Sequence, residues 1–227
     1  MNNQSSAAAA NYTSESGDSY LARREGAASD HVQTLRASLF VDLAQPGRTV
    51  LDFGCGTGGI LARLEFAERV GIEIGDAAAQ VARGKGIKVH PELSHIDDSS
   101  IDAVISFHAL EHVETPVAIL RELARVAKPG APMRLIVPGE NPRDRRQAEW
   151  YPNRDMHLFT WTPLLLGNLA QVAGLSNIRT RIEPMPTGSR MVRLLRPAPP
   201  LARLAHRRIA NRLNSWNVIL DCRAPAA

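Results

Sequence analysis

The chain has 227 residues, 44% of them hydrophobic and 22% charged, with a formal net charge of +4, the composition of a soluble globular protein with one domain and a substantial core. No stretch approaches the ~18 consecutive apolar residues of a membrane span, and the opening "MNNQSSAAAANYTSESGDSY" lacks the basic-then-apolar order of a secretory signal. A cytoplasmic protein is expected, with Cys55 and Cys222 as reduced thiols.

Residues 1–18 read as a disordered lead rich in Ser, Asn, Ala and Gly, and 19–227 as a single domain. Residues 20–45 place Leu21, Val32, Leu35, Leu39 and Leu43 at helical spacing, and Pro46-Gly47 stops that segment. "RTVLDF" (48–53) is a short apolar run with the look of a buried parallel strand. "GILARLEFAE" (59–68) predicts a helix, "RVGIEI" (69–74) a second strand, "DAAAQVARGKG" (76–86) a glycine-closed helix and "IKVH" (87–90) a third strand. "SIDAVISFHAL" (100–110) is a fourth strand, Pro116 opens a helix over 117–127, and "PMRLIVP" (132–138) is a fifth strand. Residues 139–160 are polar, aromatic and proline-broken, and predict a functional loop facing the substrate. A helix at 162–174 and strands at 177–184 and 217–224 complete the pattern. Strands alternating with helices imply an α/β fold, a doubly wound, mostly parallel sheet whose ligands sit beyond the carboxyl ends of the strands.

The charge is unevenly placed. Residues 179–227 hold ten arginines against Glu183 and Asp221, whereas 1–178 is net acidic. Such a tail suits an acidic partner or is a solvated arginine-rich surface. Within it, 198–215 reads as a basic helical insertion with Leu201, Leu204, Ile209 and Leu213 among arginines, suited to peripheral membrane contact near a lipid-linked substrate or to packing on the sheet. A nucleic-acid-binding or RNA-modifying protein using this tail is a rival reading; only 5% of residues are aromatic and no RNA-recognition signature is present. No Cys/His cluster has zinc-ligand spacing, so no metal is expected from the sequence.

"VLDFGCGTGGI" (50–60) carries the most chemistry. Gly54, Gly56 and Gly59 match the dinucleotide pattern G-x-G-x-x-G, with Glu73 about 20 residues on, so an NAD-dependent oxidoreductase is one alternative. Asp52 argues against it, because a carboxylate two residues before the first glycine repels a pyrophosphate. The same carboxylate suits an ammonium group. S-adenosyl-L-methionine presents one, together with a sulfonium and an adenosine but no phosphate, and Glu73 can accept hydrogen bonds from its ribose hydroxyls.

These stretches, with "IDAVISFHALEHV", "ILRELARVAKPGAPMRLIVP" and "HLFTWTPLLLGNLAQVAGL", resemble the class I S-adenosylmethionine-dependent methyltransferases of the small-molecule type over roughly residues 30–180. The resemblance implies a seven-stranded sheet whose last strand is antiparallel. It implies that Asp52, Gly54, Cys55, Gly56 and Gly58 line the methionine moiety, that Glu73 binds ribose with Ile74 against adenine, and that Ser106, Phe107 and His108 approach the sulfur. The link "HPELSHIDDSS" is shorter than usual for the family, and Glu92 and Leu93 are the expected adenine cover. Methyl transfer to a hydroxyl, amine or acidic carbon is helped by a general base. His108 and His157 are the expected bases, from a wider set that includes Glu111, His112, Tyr151 and Asp155. Arg143, Arg145, Arg146, Trp150, Tyr151 and Arg154 suit a polar or anionic small-molecule acceptor, and "NRDMHLFTWTP" resembles methyltransferases encoded with surface-polysaccharide biosynthesis, so a saccharide hydroxyl is one expectation.

Overall fold

In a computed structural model of the chain, residues 30–140, 157–185, 207–213 and 215–226 are described. The expected disordered lead (1–18), the arginine- and aromatic-rich part of the expected substrate loop (141–156) and the first part of the basic insertion (198–206) lie outside them.

Seven strands form one sheet: β1 (Thr49–Phe53), β2 (Glu68–Ile72), β3 (Lys88–His90), β4 (Ala103–Phe107), β5 (Pro132–Pro138), β6 (Ser176–Pro184) and β7 (Trp216–Arg223), in the order β3-β2-β1-β4-β5-β7-β6. The first five pair in parallel, and β7 runs antiparallel to both neighbours. The order reverses between β1 and β4, so the crevice above their carboxyl ends is where a doubly wound sheet binds ligands.

Near-continuous apolar runs follow from burial on both faces. On one face Leu51, Val104, Leu135 and Leu220 pack under α3 (Pro116–Val126) and α4 (Pro163–Val172). On the other, Val50, Ile105, Ile136 and Ile219 pack with Phe40 and with Ala79 and Ala82 of α2 (Asp76–Arg83). α1 (Asp30–Ala37) covers the same side through Ala37. Pro116 and Pro163 open their helices at the first turn, where a missing N–H costs nothing. Gly174, at φ 86°, ends the last turn of α4 in the left-handed region. At 207–213 the basic insertion is helical, and its Ala210 is fully buried.

One expected element differs. Residues 59–68 are not an α-helix: a single 3₁₀ turn, Leu61–Arg63, is followed by extended chain from Leu64. Parallel pairing of Thr49 with Glu68 requires the chain to climb back along the full length of β1. The connection does so without an α-helix, and Ile60, Leu61, Leu64 and Phe66 still reach the core, so the apolar spacing that suggested a helix serves burial in irregular chain.

Candidate active site

β1 delivers Asp52 to the carboxyl end of the sheet, where the chain turns sharply. Gly54 sits at φ 75°, and a Cβ there would lie 2.4 Å from the Ala109 Cβ, so both the backbone angle and the packing demand glycine. The N–H groups of Gly54 and Cys55 donate to the Ile72 carbonyl at 2.9 and 3.0 Å and pin the loop to β2. Around Gly56 nothing approaches within 4 Å of where a Cβ would stand, so bare main chain faces open space. Just past β2, Glu73 spreads its carboxylate between the Gly56 N–H (2.9 Å) and the Gly75 N–H (2.8 Å). A carboxylate has about four lone-pair sites, so this grip holds its orientation and leaves capacity for hydroxyl donors.

Asp52 is buried, and its Oδ1 has no hydrogen-bond partner among the described residues. Burial pushes its carboxyl well above the ordinary range, and the neighbouring Glu73 charge pushes it further. A carboxylate in that state is complementary to a buried cation. Cys55 behaves differently: burial first, then the Asp52 and Glu73 charges, push its thiol up, which makes it an inert small apolar group. The loop also ceases to fit a dinucleotide. The pyrophosphate pattern needs the glycines to open a helix, and here they open a 3₁₀ turn and extended chain. A buried carboxylate oxygen, open space beside the Gly56 main chain and a braced second carboxylate fit an amino-acid ammonium and a ribose.

A second cluster lies against the first through Ala109. β4 ends at His108 in a left-handed conformation, φ 56°, its N–H bonded to the Ile136 carbonyl at 2.8 Å. Its ring stacks on Phe107 (4.2 Å between centroids, 7° interplanar), and Arg36 lies over Phe107 at 5.1 Å. Such backbone strain in a non-glycine residue persists only where the surroundings enforce it. His108 Nε2 is 2.9 Å from Asn217 Oδ1 at the start of β7. Donation to that oxygen makes Nδ1 the proton-accepting nitrogen of the neutral ring. Nδ1 lies 4.0 Å from Glu111 Oε1. The same Oε1 lies 3.7 Å from His112 Nε2 and 3.9 Å from His157 Nε2. The Glu111 side chain is fully buried, whereas the His157 side chain is 18% exposed, the most accessible of the three imidazoles.

A family model described as a methyltransferase domain matches residues 20–180. The chain belongs to the class I S-adenosylmethionine-dependent methyltransferases. This methyltransferase is 38% identical over 120 residues to a ubiquinone biosynthesis O-methyltransferase of Hahella chejuensis, covering 46% of this chain and 50% of that one. It is 34% identical over 151 residues to the protein of the same name from Nitrosospira multiformis, covering 57% and 63%. It thus spans about half to under two thirds of the length of these relatives. Among solved structures, Haemonchus contortus phosphoethanolamine N-methyltransferase 2 in complex with S-adenosyl-L-methionine superposes with a TM-score of 0.67 at 12% identity, covering 98% of this chain and 61% of that one. A SAM-dependent methyltransferase from Archaeoglobus fulgidus gives 0.60 at 17% identity, covering 86% and 94%. At these identities the likeness shows the fold.

In the methyltransferase, Asp52, the Gly54–Gly58 loop and Glu73 come together at the carboxyl ends of β1 and β2, with Ile74, 39% exposed, beside them. Leu93 is buried in a 3₁₀ turn after β3, while the neighbouring Glu92 points largely to solvent and faces His95 at 3.8 Å. Ser106 Oγ donates to the Phe53 carbonyl at 2.8 Å, a buried tie between β4 and β1. Several supporting residues have no sequence signal of their own. Gly71 is bare because a Cβ there would meet Cys55 Sγ at 2.4 Å, and Gln33 lies against Gly59. Asn217 is fully buried, and its only sequence signal is an amide at the head of the apolar run "NVILDC".

Proposed function

We propose that this methyltransferase alkylates a hydroxyl oxygen of a small polar acceptor bound at the carboxyl ends of β4 and β5. The observation that carries the reading is the buried Glu111 carboxylate facing the imidazoles of His108, His112 and His157 beside the glycine loop. A hydroxyl acceptor must lose a proton as the new bond forms, and an imidazole near neutrality is suited to take it. The activity named for these relatives, O-methyltransferase, supports oxygen as the target.

When bound, the cofactor supplies an electrophilic methyl group on a positively charged sulfur. Asp52 faces its ammonium, the main chain of Gly54, Cys55, Gly56 and Gly58 lies along its methionine end, and Glu73 accepts from its ribose hydroxyls. Ile74 and Leu93, with Glu92, would hold adenine, and Ser106 and Phe107 would lie near the sulfonium. His108 and His157 are the proton acceptors, and the Glu111 charge stabilises the imidazolium that results. The protein's contribution is alignment and fixed charge.

The test uses the full chain with methyl-labelled cofactor and a panel of diphenols, saccharides, amines and thiols, with products read by mass spectrometry. Label is expected on a hydroxyl oxygen. A His108→Asn, His157→Asn double variant is expected to lose about 100-fold or more in turnover while still binding S-adenosylhomocysteine. Transfer confined to nitrogen, carbon or sulfur acceptors, or an unimpaired double variant, overturns the reading.

A further inference from the structure

The geometry points to a divalent transition-metal site at Glu111, His112 and His157, for a cation of the Zn²⁺ class. Glu111 Oε1, His112 Nε2 and His157 Nε2 all lie within 4.8 Å of one another. The two carboxylate–imidazole separations, 3.7 and 3.9 Å, exceed hydrogen-bond length. Separations of that size leave room for a cation between the donors. At metal–ligand distances of ~2.1 Å, donors sit ~3.4 Å apart at a tetrahedral angle and ~4.2 Å apart across an octahedron.

The backbone holds the donors in place before any ion arrives. Glu111 and His112 are consecutive in one 3₁₀ turn, Leu110–His112. The segment carrying His157 is joined to that turn by Leu158 N–H donating to the Glu111 carbonyl at 2.8 Å. The His112 and His157 rings meet edge to face at 5.0 Å, so their nitrogens converge without the rings stacking. Two imidazoles and one carboxylate favour Zn²⁺, Co²⁺ or Fe²⁺ over Mg²⁺ and Ca²⁺, which prefer all-oxygen shells. Three protein ligands leave a coordination position open. If the proposed O-methylation holds, that position suits the acceptor hydroxyl, whose acidity a bound dication raises. With the ion bound, His157 serves as a ligand instead of a base, and His108, anchored by Asn217 outside the ligand set, is the proton acceptor.

The experiment titrates chelator-stripped full-length protein with Co²⁺, following visible d–d absorption, and then adds Zn²⁺ or Mg²⁺. About one Co²⁺ per chain is expected, displaced by Zn²⁺ and not by millimolar Mg²⁺. Glu111→Gln and His157→Gln are each expected to weaken Co²⁺ binding about tenfold or more, with S-adenosylhomocysteine binding reporting that the variants are folded. Lack of stoichiometric Co²⁺ or Zn²⁺ binding by the unmodified protein, displacement by Mg²⁺, or equal binding by folded variants overturns the site. These readouts need no acceptor, so a failure of O-methylation leaves the metal site standing, and a failure of metal binding leaves O-methylation standing.

Discussion

In its proposed role, Asp52 stabilises the bound state at the expense of the empty one. Its carboxyl titrates well above the ordinary ~3.9 because it is buried and because Glu73 is near. Between the ordinary value and the raised one, the folded protein holds a proton that the unfolded chain has released. Stability therefore falls as pH rises through that window, and above it the full cost remains. Asp52→Asn is expected to raise the melting temperature of the cofactor-free protein at neutral pH by about 2–4 °C, the shift that ~1 kcal/mol produces in a domain of this size. The same change removes the ammonium's counter-charge and is expected to weaken S-adenosylhomocysteine about tenfold or more, as loss of a charged hydrogen bond does. Melting curves across pH and calorimetry with the ligand read the two effects. Identical pH profiles for variant and parent would show that Asp52 carries no such burden. This residue was legible in the sequence because its argument is local: a carboxylate two positions before a glycine turn.

At the scale of elements, helix ends were legible and the first crossover was not. Thr162 caps α4, its hydroxyl accepting from the Leu165 N–H at 3.1 Å, and Pro163 follows at the first helical position. Thr162→Ala is expected to cost about 1 kcal/mol of unfolding free energy, with Thr162→Ser retaining most of it, in denaturant melts. Cap and proline are adjacent in sequence, so the pattern is visible without the fold. "GILARLEFAE" has apolar residues at spacing compatible with a helix, yet the distance it must cover is set by the strand pairing of Thr49 with Glu68. Tertiary burial of Ile60, Leu61, Leu64 and Phe66 overrode local propensity.

Over the whole molecule, Arg134 ties four segments together. It lies mid-way along β5, opposite Asp221 of β7. Its guanidinium bonds Asp221, the Leu39 carbonyl and, in a fork, both carboxylate oxygens of Asp42 (2.6 and 2.9 Å). Arg181 of β6 reaches Asp221 from the other side. The Arg134 hydrogen bond holds the Asp42 carboxyl below its ordinary value. That contribution is present above the ordinary aspartate range and is lost as pH falls through the lowered value. Arg134→Met is expected to cost about 2 kcal/mol, less than the 3–5 of breaking a fully buried pair because Asp42 is largely exposed and screened. The variant is also expected to lose less stability than the parent on acidification to pH ~3, and thermal melts across pH would show it.

By itself the sequence determined the alternation of strands and helices, the glycine turn after β1, and the placing of two carboxylates, Asp52 and Glu73, on either side of that turn. Each of these rests on neighbours within about 20 residues, where periodicity and turn chemistry act. Only the tertiary structure decided that β7 inserts between β5 and β6, bringing Asn217 to His108 across 109 positions. It also brought His157 to Glu111 and His112, 45 and more residues away in the chain. Those contacts depend on strand order and on which loops share one end of the sheet, and a linear pattern does not encode either.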